Sequence, residues 1–130
     1  MRKILVADVP QMDARYSAAL AGRELAFVRT MPEARQALAA ERFDLVAIGV
    51  YFDDSQMFEL VRAVRNDDTH HEAPIVCVRG APGFTAVTAR TLEATLKALA
   101  ADEFVDLVHF GDEESGNAAL RASVERLLRG

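Results

Sequence analysis

The sequence predicts a doubly wound α/β fold: five parallel strands in the order 2-1-3-4-5, with helices packed on both faces of the sheet. Three observations predict it. Nearly unbroken apolar tetrads rich in Val and Ile recur at residues 4–7, 45–48 and 75–78, the pattern of strands buried on both faces. Amphipathic segments with helical spacing lie between them. Strand and helix patterns alternate five times with short connections, which forces right-handed crossovers and therefore parallel strands.

The elements follow in order. The strand at 4–7 runs into Asp8, and Met12, Tyr16, Ala19 and Leu20 then share one face of a first helix that Gly22 stops. A second, less uniform strand is expected at 24–29. Thr30-Met31-Pro32-Glu33 reads as a capping box, in which the Thr30 hydroxyl and the Glu33 carboxylate satisfy free backbone N–H groups, and Ala34, Ala37 and Leu38 carry that helix inward. After the strand at 45–48, Met57, Leu60, Val61 and Val64 define a third helix, with Asp54 or Ser55 as its cap. After the strand at 75–78, Leu92, Leu96 and Leu99 define a long fourth helix, expected over about 85–101. A fifth strand is expected at 103–110, where Asp106 and His109 interrupt the apolar run as on a sheet edge. Leu120, Val124, Leu127 and Leu128 form the inner face of the last helix, with Arg121, Glu125 and Arg129 laddered outside.

A chain of 130 residues fits one domain, expected here over 1–130, and 51% hydrophobic with 27% charged residues is an ordinary globular composition. Fifteen basic against twenty acidic residues leave a net charge of -5, which argues against a nucleic-acid partner. The single cysteine, Cys77, excludes an internal disulfide, and no apolar run approaches the length of a signal segment or a membrane span. A cytoplasmic protein is expected.

Five segments in register resemble the receiver domains of bacterial two-component response regulators. Lys3-Ile4-Leu5-Val6-Ala7-Asp8 resembles their first strand with its terminal acid, and Phe43-Asp44-Leu45-Val46-Ala47-Ile48 their third strand. Phe58-Glu59-Leu60-Val61-Arg62-Ala63-Val64-Arg65 is similar to their third helix, Ala73-Pro74-Ile75-Val76-Cys77-Val78 to their fourth strand, and Asp102-Glu103-Phe104-Val105 to the run into their fifth. The resemblance implies a CheY-like, flavodoxin-like (βα)5 fold. It also implies a chemistry: a carboxylate nucleophile ending strand three, paired acids after strand one for Mg²⁺, a hydroxyl after strand four and a lysine after strand five. Here those positions fall on Gly49, on Asp8 with Val9, on Arg79 and on Leu107 (Val108 or His109 with a small slip). Only Asp8 has the expected chemistry. The expectation is a degenerate pseudo-receiver, not an enzyme and without cofactor or metal, that serves signal transduction by binding another protein independently of phosphorylation.

Other residues carry competing readings. Asp8 can contact Arg79, directly or through water, can be solvated, or can act as a residual metal ligand. Asp53 and Asp54 stand near the mouth of the vacated pocket, as a solvated loop acid and a helix cap or as substitute ligands; Tyr51 and Phe52 cover the pocket or form a contact patch. Residues 66–72, which include His70 and His71, read as a solvated connection rather than a metal site. Arg79-Gly80-Ala81-Pro82-Gly83 reads as a turn or as a weak anion cradle, which gives the alternative function of a small-molecule or anion sensor anchored on Arg79. Cys77 reads as an inert buried thiol. Phe104, Asp106 and His109 mark the expected partner face, built from strand four, helix four, strand five and helix five, where a homodimer would also form.

Overall fold

A computed structural model describes residues 2–80 and 89–129. Strands β1 (Lys3–Ala7), β2 (Glu24–Val28), β3 (Leu45–Gly49), β4 (Ile75–Arg79) and β5 (Glu103–Asp106) form one sheet in the order β2-β1-β3-β4-β5, with every neighbouring pair parallel. The helices are α1 (Asp13–Ala19), α2 (Met31–Ala40), α3 (Met57–Arg65), α4 (Ala89–Ala98) and α5 (Glu113–Arg129). Among the described residues no helix is long and apolar enough to cross a membrane.

Side-chain alternation divides the core into two layers. Leu5, Ala7, Val46, Ile48, Ile75 and Cys77 point to one face, where Leu38 of α2, Leu60 and Val64 of α3 and Leu92 and Leu96 of α4 cover them. Ile4, Val6, Leu45, Ala47, Val76 and Val78 point to the other, beneath Tyr16 and Leu20 and the α5 residues Leu120 and Val124. Every residue of β3 is buried, which is why its run is apolar without interruption.

Several boundaries differ from expectation, each for a local reason. Met12 belongs to a 3-10 turn, Pro10–Met12, that precedes α1. The α2 cap forms with Glu33 N donating to Thr30 Oγ1 at 3.2 Å, but the Glu33 carboxylate accepts from Arg29 N at 2.7 Å, one residue before the cap. Neither Asp54 nor Ser55 caps α3, whose N-cap is Gln56 without a side-chain bond. The start expected for helix four at 85 lies outside the described residues; its end comes at Ala98, and Ala100 turns the chain with a φ of +66°. Strand β5 stops at Asp106 because that side chain accepts from Val108 N at 3.2 Å and winds Leu107–His109 into a 3-10 turn, so His109 lies outside the strand.

The connection at 66–72 is not simply solvated. His70 is fully buried; Phe43 N donates to its Nε2 at 3.0 Å, so the ring proton sits on Nδ1, 2.6 Å from Asp67 Oδ2. Arg65 closes the same end of the sheet by donating to the carbonyls of His71, Ala73 and Ala100 and to Asp102, which in turn accepts from Ile75 N at 2.7 Å. These two residues fix the base of the molecule and leave the carboxyl ends of the strands to form the crevice.

Candidate functional site

Asp8 follows β1, Gly49 ends β3, Arg79 ends β4 and Leu107 follows β5, so the parallel sheet brings all four positions to one edge. Asp8 is only 3% exposed. Its Oδ2 accepts from the Tyr16 hydroxyl at 2.6 Å and its Oδ1 from Val9 N at 2.7 Å. A Cβ built at Gly49 would overlap the Asp8 carboxyl carbon and both its oxygens. The space is therefore filled by Asp8, which corrects the expectation of a vacated pocket.

The electrostatics follow from that burial. Desolvation pushes the Asp8 carboxyl above its ordinary value, and the Tyr16 hydroxyl, Val9 N–H and Arg29 charge oppose this only in part. Tyr16 is fully buried, and burial, followed by the Asp8 charge, raises its phenol well above the ordinary range, so its hydroxyl remains a donor. Beside it, Met12 lies against the end of β4: a Cβ at Gly80 would overlap its Sδ.

Arg79 does not meet Asp8. Its Nε and Nη2 donate to Asp106 Oδ1 and Oδ2 at 3.0 and 2.6 Å, a bidentate pair between residues that stand opposite each other in the β4–β5 register. Asp8 lies two strands away, so the nearer acid takes the guanidinium, and the expected Asp8–Arg79 contact and the solvated alternative are both corrected. The cation nearest Asp8 is instead Arg29, at the end of β2. It donates to the Asp8 backbone carbonyl at 3.2 Å and forms a two-point pair with Asp13.

The remaining candidates separate. Val9 packs half-buried against the α1–α5 layer, and Leu107 is buried there, with its Cδ2 3.3 Å from where a Cβ on Gly116 would lie. Phe52 is fully buried in the opposite layer with Tyr51 packed against it, so Phe52 is core, neither a lid nor a contact patch. Asp53, Asp54 and Ser55 take three successive positive φ values, 43°, 55° and 64°. Asp53, not Asp54, does the capping, and of a different helix: Met31 N, in the first turn of α2, donates to its Oδ2 at 2.8 Å, and Gln56 Nε2 donates to the same oxygen at 3.2 Å. Cys77 is buried, and desolvation pushes its thiol up to about 12. The turn expected over 79–83 is described only through Gly80, and its remaining residues lie outside the described residues.

The residues do not fit Mg²⁺. That ion takes an octahedron of hard oxygen ligands, whereas Val9 and Gly49 offer no side-chain oxygen and both oxygens of Asp8 already accept hydrogen bonds. Among the described residues, no group of three or more His, Cys, Asp or Glu side chains is placed to hold a metal.

A second feature lies on the flank of the sheet. Two hollows lie over β5, one of about 530 Å³ beside α4 and the connection that follows it and one of about 380 Å³ between α4 and α5, and both are lined by Glu93, Glu103 and Phe104. Asp106 and His109 line the smaller one, so the structure brings Phe104, Asp106 and His109 to one groove. Glu103 is fastened across it to Ser123 Oγ at 2.7 Å and to Arg126, while Val108, at 36% exposure, is the large apolar residue left open on the adjacent turn. Of the three expected contact residues, Asp106 is committed to Arg79.

Sequence reading places Tyr16 and Met12 only on the inner face of the first helix, without their part at this site, and gives Arg29 and Asp13 no role. One signal was available: a tyrosine on the inner face of a helix needs an acceptor for its hydroxyl. The Arg29–Asp13 pair joins distant segments and had no such mark.

In comparison with known proteins, no family model and no curated protein matches the chain in sequence. Solved structures do resemble it. A response regulator from Hahella chejuensis superposes with a TM-score of 0.80 at 20% identity, covering 98% of this chain and 96% of that one. The chemotaxis protein CheY4 of Vibrio cholerae superposes with a TM-score of 0.76 at 24% identity, covering 98% of each. The receiver domain of sensor histidine kinase PA1611 from Pseudomonas aeruginosa, which has magnesium coordinated in its active-site cleft, gives 0.76 at 16% identity over 99% and 98%. The fold is that of response-regulator receiver domains.

Proposed function

We propose that this chain is a receiver-like signalling module that works without aspartyl phosphorylation and acts by binding another protein. One observation carries the reading. The strand end where a receiver would present its phosphoacceptor bears Gly49, and the space beside it holds a buried carboxylate already bonded to Tyr16 and Val9. The likeness of the fold to response regulators supports a role in signal transduction. The groove between α4 and α5, with Phe104, Val108 and His109 beside it, supports that face as the contact surface, for a partner or for a second copy.

The anion-sensor reading takes second place because Asp106 already pairs with Arg79 through Nε and Nη2 and offsets its charge. Incubation with a small phosphodonor and Mg²⁺, followed by intact mass, tests the first reading: the expected result is no added phosphoryl group, and a stoichiometric gain would overturn it. Light scattering over a concentration series tests self-association. A dimer weakened by Val108→Glu supports the groove, and a monomer throughout removes the homodimer.

A further inference from the structure

Two glycines at the carboxyl ends of neighbouring central strands each meet a side chain from the same short segment. Gly49, ending β3, faces the Asp8 carboxylate, and Gly80, just past β4, faces the Met12 thioether. Both come from residues 8–12, between β1 and α1. The segment is anchored: Tyr16 Oη and Val9 N hold the Asp8 side chain, Arg29 holds its carbonyl, and Met12 N donates to the Val9 carbonyl at 3.1 Å. Asp8 and Met12 are buried, and Tyr16 beneath them is fully so.

We infer that Asp8, Met12 and Tyr16 form a built-in plug that closes the strand-end crevice from within, and that positions 49 and 80 are glycines because the plug occupies the volume of their side chains. The inference rests on the proposed function for one point only, that this crevice is where a receiver would react. It goes further by making the closure a packed, mutually dependent contact instead of a missing group. A side chain returned to position 49 must expel a desolvated carboxylate from between two hydrogen-bond donors. Neither glycine has a positive φ, so the requirement is steric, not conformational.

A double-mutant cycle read by thermal unfolding tests the plug. Gly49→Ala is expected to lower Tm by about 5–10 °C, the range of an overpacked core site in a domain of this size. Gly111→Ala, where a Cβ meets nothing within 4 Å, serves as the control. The decisive comparison is Asp8→Ala with Asp8→Ala/Gly49→Ala. Once the carboxylate is gone the added methyl has room, and the double variant should melt at or above the single one. Met12→Ala with Met12→Ala/Gly80→Ala should behave likewise. A Gly49→Ala protein within about 2 °C of the parent would overturn the inference. So would a double variant that falls below Asp8→Ala by as much as Gly49→Ala falls below the parent. If Gly49→Ala does not fold, the comparison within the Asp8→Ala background decides alone. A phosphoryl gain by the parent protein would instead sink the proposed function and leave these melting results standing.

Discussion

A buried carboxylate is held in its charged form only as far as its partners allow, and Asp8 has two: one phenol and one backbone N–H. Burial outweighs both, so its folded pKa lies above the reference value of 3.8. Between that reference and the folded value, the folded protein binds more protons than the unfolded chain, and stability therefore falls as pH rises through the window. An asparagine at position 8 can still accept from Val9 N and donate to the Tyr16 oxygen, but it carries no charge to desolvate. Denaturant unfolding of Asp8→Asn and the parent from about pH 4 to about pH 8 should show the variant gaining relative stability as pH rises, with the change spent above the folded pKa. A pH-independent difference would mean that the carboxylate is solvated. The same residue shows where sequence reading stops. The retained acid was visible at the end of an apolar run, but its partner was not, because Tyr16 lies eight residues on and looks like ordinary helix core. Arg79 was expected to turn toward Asp8 when Asp106 stands directly across from it in register. Which of two acids a guanidinium meets depends on strand neighbours, and the strand expected over 103–110 ends at Asp106, whose side chain caps its own 3-10 turn.

At the scale of elements, burial on both faces made β1, β3 and β4 legible, and the Thr30–Glu33 pattern placed the start of α2. The connection after β3 was not legible, because nothing in Tyr51–Gln56 marks a left-handed turn. Asp53 and Asp54 sit at φ, ψ of 43°, 66° and 55°, 44°, where residues with a Cβ are disfavoured by roughly 1–2 kcal/mol each. Two bonds hold the turn: Met31 N and Gln56 Nε2 both donate to Asp53 Oδ2, tying it to the first turn of α2. The turn thus spends local backbone energy to join two elements on the same side of the sheet. Asp54 is exposed, so its backbone can be probed without touching that cap. Asp54→Gly should stabilise the protein by about 0.5 kcal/mol, the relief of the left-handed conformation less the entropy glycine restores to the unfolded chain. Asp54→Val should cost about 1–2 kcal/mol, since a β-branched residue tolerates that region poorly. Equal stabilities for the two variants would show that the turn is not left-handed.

At the scale of the molecule, a phosphoryl-accepting site on this fold is a joint property of four strand ends, and under the proposed reading each end makes a different contact here. The end of β1 supplies the carboxylate that fills the space beside Gly49, and β4 supplies Arg79, neutralised by Asp106 of β5. The position after β5 supplies Leu107, buried beside Gly116 under α5. The substitutions that would rebuild the chemistry therefore conflict with the packing, each in a different place. Gly49→Asp puts a second carboxylate against the first in a desolvated space, where like charges cannot both ionise. It should lower Tm, and incubation with a small phosphodonor and Mg²⁺ should add no phosphoryl mass. Leu107→Lys removes a core side chain and puts an ammonium in a buried position, at a cost of about 3 kcal/mol or more. Combining the two should not recover acceptance, because the plug and the Arg79–Asp106 pair remain in place. Phosphorylation of the Gly49→Asp variant by itself would show that the strand ends move independently of one another and that the crevice opens at little cost. Silence in both variants, with losses in stability that fail to add when the two are combined, would show that the strand ends are coupled through one packed edge.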